Sequence, residues 1–290
     1  MAKEVVTVGG FEIPYAVYTQ GPECLICVNG MQQTMASWRP VVRRLSAAGR
    51  YRVVLFDFPY QGRARAIDSA QPVTLAEQVA VLHRVVEAAA PFQSVALIGG
   101  SWGAVVAAAY AAEHPSRVTK LLLGSFQPRA NRRLRDVARR GQALVEQGRI
   151  DELAGLFITE FGQGMPPDRQ RALQAQFRTL RSDQVLQMYR QGSVLAEATA
   201  LADLVDLRAI RAETLVVNGT DDPLVDAADP AIRQIPSAEL CVVPGAGHFL
   251  HLERPEMIDV YNEFFHRSAP ALSSAPERPI EAGALSSCTE

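Results

Sequence analysis

Cysteine is scarce in this chain. There are four in 290 residues, Cys24, Cys27, Cys241 and Cys288, too few and too scattered for a disulfide framework. Cys24 and Cys27 make a C-x-x-C spacing, but they sit in an apolar run that reads as a strand. Alternation along a strand points them to opposite faces, which argues against a redox pair and leaves buried packing. An excess of one charge is also lacking: 29 Lys and Arg stand against 31 Asp and Glu, a net charge of −2. Nothing global attracts nucleic acid, so a charged partner must meet a local patch. No stretch reaches the ~18 apolar residues of a transmembrane helix. The opening MAKEVVTVGGFEI lacks the apolar core of a signal peptide, so the expected location is the cytoplasm. No metal and no cofactor is expected.

What is present is apolar and alternating. Hydrophobic residues make up 48 % and charged residues 21 %, enough for a substantial core. EVVTVGGFEIPYAVY reads as two strands around a Gly9-Gly10 turn. CLICV, YRVVLF, SVALIGG and VTKLLLG read as further strands. Between them fall helical patterns: SWRPVVRRLSAAG with Val41, Val42 and Leu45 inward, TLAEQVAVLHRVVEAAA with a Thr74/Glu77 capping box, and WGAVVAAAYAAEHP. TLVVNG and AELCVVPG add two strands, and PEMIDVYNEFFHRS a closing helix. Such alternation predicts an α/β fold, a mostly parallel sheet with helices on both faces. The expected organisation is a core over residues 1–125 and 210–267, a helical cap over 126–209, and a disordered tail over 268–290 rich in Ser, Ala and Pro.

Gly99-Gly100-Ser101-Trp102-Gly103 fits G-x-S-x-G between a strand and a helix, a nucleophile elbow. Glycines are needed there because the serine's turn is strained and backbones approach closely. The helix starting at Trp102 aims its N-terminal dipole at the serine. A serine needs a base. His248 follows a strand in a Gly-rich loop near the end of the sheet, whereas His83 and His114 belong to helices and His266 borders the tail. His251 reads as a packing residue. Asp222, before Pro223, is the candidate for orienting the imidazole, with Asp221 as the fallback. The order Ser101, Asp222, His248 is that of α/β-hydrolases. Oxyanion donors are expected from the backbone N–H groups of Trp102 and Met31, with Gly30 letting the loop turn under the substrate and Asn29 a turn residue.

Asn29-Gly30, YRVVLFDFPYQGRAR, GSWG, GAGHFLHLE and ANRRLRDVARRGQALVEQG together resemble the 3-hydroxyacyl transferases of the α/β-hydrolase superfamily. That group includes the rhamnolipid-pathway synthase of 3-(3-hydroxyalkanoyloxy)alkanoic acid and the 3-hydroxyacyl-ACP:CoA transacylase. The resemblance implies nucleophile, acid and base at Ser101, Asp222 and His248. It implies an acyltransferase that takes a 3-hydroxyacyl group from ACP or CoA and passes it to the 3-hydroxyl of a second such group, a lipid precursor of a glycolipid surfactant. A thioesterase or carboxylesterase with the same triad is the alternative. Leu134, Val137, Leu144, Leu153, Leu156 and Phe157, at roughly helical spacing, are candidates to line a dry acyl tunnel, or equally an ordinary core stripe. The arginines of RANRRLRDVARR, Arg132, Arg133 and Arg139 foremost, are candidates to receive an acyl carrier protein or coenzyme A phosphates, or else a solvated helix face.

Overall fold

Side-chain-free glycines turn the chain at its first hairpin. Gly9 and Gly10 adopt φ of +53° and +77°, the left-handed conformation that a tight hairpin turn demands. They join β1 (Ala2–Val8) to the antiparallel β2 (Phe11–Tyr18). The computed structural model describes residues 2–46, 49–67, 73–179, 185–187, 189–190 and 201–267. Further strands are β3 (Glu23–Val28), β4 (Tyr51–Phe56), the two-residue β5 (Arg65–Ala66), β6 (Val95–Gly100), β7 (Val118–Gly124), β8 (Glu213–Gly219) and β9 (Ala238–Val243). The sheet order is β1-β2-β4-β3-β6-β7-β8-β9, with β5 on the edge of β2. Pairing is antiparallel from β1 through β4 and parallel from there to β9. Strands β3, β6 and β8 are buried on both faces along nearly their whole length, as strands covered by helices must be, whereas the edge strand β9 exposes Glu239 and Leu240.

Helices α1 (Arg39–Ser46) and, at the far end of the chain, α8 (Met257–His266) cover one face, where Val41, Leu45, Tyr261 and Phe265 pack with Leu25 and Cys27. Helices α2 (Leu75–Ala89) and α3 (Trp102–Glu113) cover the other, where Leu82, Val85 and Ala104 pack with Cys24 and Ile26. Cys24 and Cys27 thus lie on opposite faces, both buried. Thr74 and Glu77 close the capping box at the start of α2. Trp102 through Ala111 are all buried, so α3 is the central helix of that layer.

Between β7 and β8 come α4 (Arg132–Glu146), α5 (Ile150–Phe161) and α6 (Pro167–Arg178). No strand occurs among the described residues from 126 to 209. Asn131 caps α4 by accepting from the Leu134 N–H at 2.8 Å. The buried carboxylate of Glu160 on α5 holds Arg133 at 2.7 Å and Arg140 at 2.9 Å, both on α4. A short helix α7 (Leu250–Glu253) precedes α8. The elements not anticipated from the sequence are all short: β5, with no room for an alternating pattern, α7 itself, and 3₁₀ turns such as Met35–Trp38 and Pro230–Gln234. The expected tail over 268–290 and most of 180–200 lie outside the described residues. Among the described residues no helix is long and apolar enough to cross a membrane.

Candidate active site

Ser101 stands between β6 and α3 at φ 54° and ψ −121°, a conformation that costs a residue with a Cβ and persists only where its surroundings enforce it. Here its N–H donates to Gly124 O at 2.8 Å. The flanking glycines are a matter of space. A Cβ on Gly99 would lie 2.5 Å from Gly103 O, and one on Gly103 would lie 2.2 Å from Val28 O. At Gly100 the nearest atoms, on Trp38, would be 4.0 Å away.

The loops after β8 and β9 bring two side chains to this serine. His248 Nε2 lies 2.9 Å from Ser101 Oγ, and His248 Nδ1 lies 2.8 Å from Asp222 Oδ2. Asp222 is buried, and its other oxygen accepts from the Leu224 N–H at 3.0 Å. A carboxylate at Nδ1 places the imidazole N–H there and leaves Nε2 free to accept from the hydroxyl. Burial disfavours a charged His248, but the Asp222 carboxylate outweighs it through its charge and hydrogen bond, and the pKa ends above the ordinary value. Asp221 is exposed and accepts from its neighbour Thr220. His251, on α7, stacks on Trp38 and donates from Nε2 to Ser37 O at 3.2 Å. Burial lowers its pKa to about 4.

Two residues around His248 were not singled out in the sequence. Glu253 accepts from the N–H of Gly247 at 2.9 Å and of Phe249 at 2.8 Å. Ser125, at φ +49°, donates its hydroxyl to His248 O at 2.7 Å. Glu253 lies within GHFLHLE, but an acid ending a short helix carries no signal of that task. Ser125 follows Gly124 with nothing to mark its strained backbone.

The loop after β3 is braced more elaborately than a turn. Asn29 is fully buried; its amide donates to Phe56 O at 2.8 Å and its oxygen accepts from Trp38 Nε1 at 3.0 Å. Asp57 accepts from the N–H groups of Met35 at 2.9 Å and Arg63 at 3.0 Å. Gln61 donates to Gly30 O at 3.0 Å. This network joins the Asn-Gly pair to the DFPYQG segment, and it replaces the reading of Asn29 as a turn residue. Gly30 opens a turn closed by the Gln33 N–H on Gly30 O at 3.2 Å, and a Cβ there would also meet Gly100 O at 2.9 Å; the left-handed residue of that turn is Gln32, at φ +61°. Among the described residues the backbone N–H groups of Met31 and Trp102 donate to no protein acceptor, and both residues line the cavity above Ser101.

That cavity, of about 1110 Å³ including its open mouth, lies under α4, α5 and α6 and is lined by Leu134, Val137, Phe157, Phe161, Leu173 and Tyr189 among others. Among the described residues no Asp, Glu, Lys or Arg lines it. Of the six apolar candidates, Leu134, Val137 and Phe157 face the cavity. Leu153 and Leu156 are core instead, and the half-buried Leu144 packs against that core. Apolar stripes on α4 and α5 each offer more than one face, and docking against each other consumes part of them. The arginines divide likewise. Arg133 and Arg140 are held by Glu160, and Arg129 by Asp229. Arg132 and Arg139 are exposed, the latter 3.7 Å from Asp136.

Comparison with known proteins gives the chain's relatives and its fold family. Over 247 residues the chain is 27 % identical to the (R)-3-hydroxydecanoyl-ACP:CoA transacylase of Pseudomonas putida, covering 82 % of each. Over 280 residues it is 28 % identical to the polyketide synthase ThaQ of Burkholderia thailandensis, covering 91 % of this chain and 12 % of that one. The crystal structure of MGS-M2, an α/β hydrolase enzyme from a Medee basin deep-sea metagenome library, superposes with a TM-score of 0.77 at 20 % identity, over 92 % of this chain and 99 % of that one. The model of the alpha/beta hydrolase fold matches residues 23–255, a span that runs from β3 through Ser101, Asp222 and His248 to the end of α7, and the chain belongs to that family.

Proposed function

We propose that the protein is an acyltransferase acting on 3-hydroxyacyl thioesters of ACP or coenzyme A, with Ser101 as nucleophile, His248 as general base and acid, and Asp222 as the group that orients it. The observation that carries the reading is the Ser101–His248–Asp222 hydrogen-bonded chain opening into an apolar cavity with no charged side chain among the described residues that line it. Similarity to a transacylase over most of the chain supports the substrate class.

The chemistry runs through the serine twice. Ser101 Oγ adds to the thioester carbonyl while His248 Nε2 takes its proton, and Asp222 stabilises the imidazolium. The N–H groups of Met31 and Trp102 hold the oxyanion, each such donor worth about 2.7–4 kcal/mol in the transition state. The C–S bond breaks and the thiol leaves with the proton from His248. The 3-hydroxyl of a second 3-hydroxyacyl group then attacks the acyl-serine and gives its proton to His248. Ser101 recovers that proton as the ester dimer leaves. Water, at about 55 M, competes at the second step, and an acceptor held in place wins because effective molarities reach ~10⁵ M or more.

The test is mass spectrometry of products formed from 3-hydroxyacyl-ACP. The expected product is the 3-(3-hydroxyacyloxy)acyl dimer, with Phe157→Ser admitting water and raising the share of free acid. Free 3-hydroxy acid as the dominant product at every substrate concentration overturns transfer in favour of a thioesterase.

A further inference from the structure

The polar side chains that line the cavity are nearly all committed elsewhere. Gln33 accepts from the Gly30 N–H at 3.2 Å, and Trp102 Nε1 donates to Gln78 at 2.8 Å. Gln127 donates to Arg129 O and accepts from the Asp226 N–H at 2.8 Å. Ser125 is spent on His248 O. Among the described lining residues beyond the catalytic pair, two are set apart by full burial of unpartnered polar atoms. Gln32 is 3 % exposed and Tyr189 6 % exposed. Both polar atoms of the Gln32 carboxamide and the Tyr189 hydroxyl are buried without a hydrogen-bond partner among the described residues. Buried polar atoms in native proteins are nearly always satisfied, so those left over in a ligand cavity point to the ligand.

Both side chains are held in place. Gln32 carries a left-handed backbone with no glycine to relieve it, and its carbonyl accepts from Gln176 Nε2 on α6 at 2.6 Å. Strain of this kind gathers at functional sites. The Tyr189 ring lies against Gly141 of α4, where a Cβ would come within 2.3 Å of Cε1, and Phe157 stands edge-on at 6.2 Å. Burial drives the phenol far above its ordinary range, with the nearby Gln32 side chain pulling the other way, so the group stays a neutral O–H.

We propose that Gln32 and Tyr189 form a polar subsite inside the acyl chamber that takes the 3-hydroxyl of the acyl chain. The assignment rests on the acyltransferase reading above. Among the described residues no charged side chain lines the cavity, which fits a neutral group. A carboxamide and a phenol each donate and accept, which matches a hydroxyl. The position along the chain follows from the sequence: Gln32 adjoins Met31, and consecutive Cα atoms are ~3.8 Å apart. On that adjacency to the proposed oxyanion donor the subsite is assigned to C3 of the acyl chain, next to the thioester carbonyl.

The decisive experiment is single-turnover acylation, read as thiol released per enzyme, with 3-hydroxydecanoyl- and decanoyl-pantetheine thioesters. A site built to hydrogen-bond a hydroxyl rejects the analogue that lacks it, so wild type should favour the hydroxy substrate by at least about 100-fold. Gln32→Met and Tyr189→Phe should each cut that ratio below about tenfold, chiefly by slowing the hydroxy substrate. Labelling of Ser101 by a fluorophosphonate identifies variants that retain a folded nucleophile. Tyr189→Phe removes one oxygen atom alone and decides the matter if Gln32→Met does not fold. Equal slowing of both substrates, or a wild-type ratio near one, overturns the subsite. Because the ratio is read at thiol release, it does not depend on whether the acyl group later goes to a hydroxyl or to water.

Discussion

Glu253 brackets His248: one carboxylate accepts from the backbone on both sides of the imidazole-bearing residue, at Gly247 and at Phe249. The side chain that must reach Ser101 thus rides on a loop fixed from below. Glu253→Ala should leave Asp222 and Ser101 in place but let the ring wander, and misplacement by ~1 Å can cost on the order of 100-fold. The expected result is a 10- to 100-fold fall in acylation rate, roughly, with KM little changed. Gly164→Ala should act in the same direction, since its Cβ would come within 2.3 Å of Glu253 Oε2. Wild-type rates in both variants would remove Glu253 from the positioning of His248.

Ser101→Ala, His248→Ala and Asp222→Asn should each lower kcat by roughly 10⁴-fold or more, and the double variants should be little worse than the singles, because the three act as a unit. Asp221→Asn should retain activity. A dead Asp221→Asn beside an active Asp222→Asn would reverse the choice of acid.

The rate of acylation should fall as pH drops through a value above 6.5. In the proposed mechanism His248 is neutral when it takes the serine proton, and the Asp222 carboxylate raises its pKa above the ordinary 6.5. In Asp222→Asn the imidazole should titrate at a lower pH, measured directly by NMR. An acidic limb centred below 6.5 in wild type would contradict the raised pKa.

Stability should weaken with acid for a separate reason. His251 titrates near 4 when folded against an ordinary 6.5, so below pH 6.5 the unfolded chain binds a proton that the folded chain refuses. The stabilisation is fully present above 6.5 and is lost progressively as pH falls towards 4, a change of roughly 3 kcal/mol from this residue. Urea melts at pH 7.5, 6 and 5 should show the loss. His251→Phe, which keeps a ring on Trp38, should flatten it; an undiminished slope would assign the acid sensitivity elsewhere.

Reversing charge at Arg132 and Arg139 should raise KM for an ACP-linked substrate and spare a pantetheine thioester, with a defect that shrinks as salt rises. Arg133 is unsuitable for this test. It neutralises the buried Glu160, and Arg133→Glu should instead lower the melting temperature. Equal KM changes on both substrates would deny the patch a role in carrier docking.

The elements around the site were legible because each declares itself locally. A run of apolar residues ending in glycines, followed by a run of small residues, marks β6, the elbow and α3. The acid and the histidine stand just after strands β8 and β9, where parallel sheets deliver their loops. What did not declare itself depends on distant parts meeting. Asn29 looks like any turn residue until Trp38 and Asp57 surround it. Gln32 looks like a loop glutamine until α6 takes its carbonyl. Half of the apolar candidates of α4 and α5 went to the core because periodicity identifies an apolar face, not which neighbour receives it.

The crowding around Gly99 and Gly103, set against the open space at Gly100, has an evolutionary meaning. Two of the three glycines have no viable single-step neighbour in sequence space, since even one methyl group would strike backbone that belongs to the same fold. The third is free to drift: alanine there would meet only the edge of Trp38 at ordinary contact distance. A mutational library spanning the pentapeptide would thus lose nearly all its diversity at the first and last positions and tolerate at least alanine at the second.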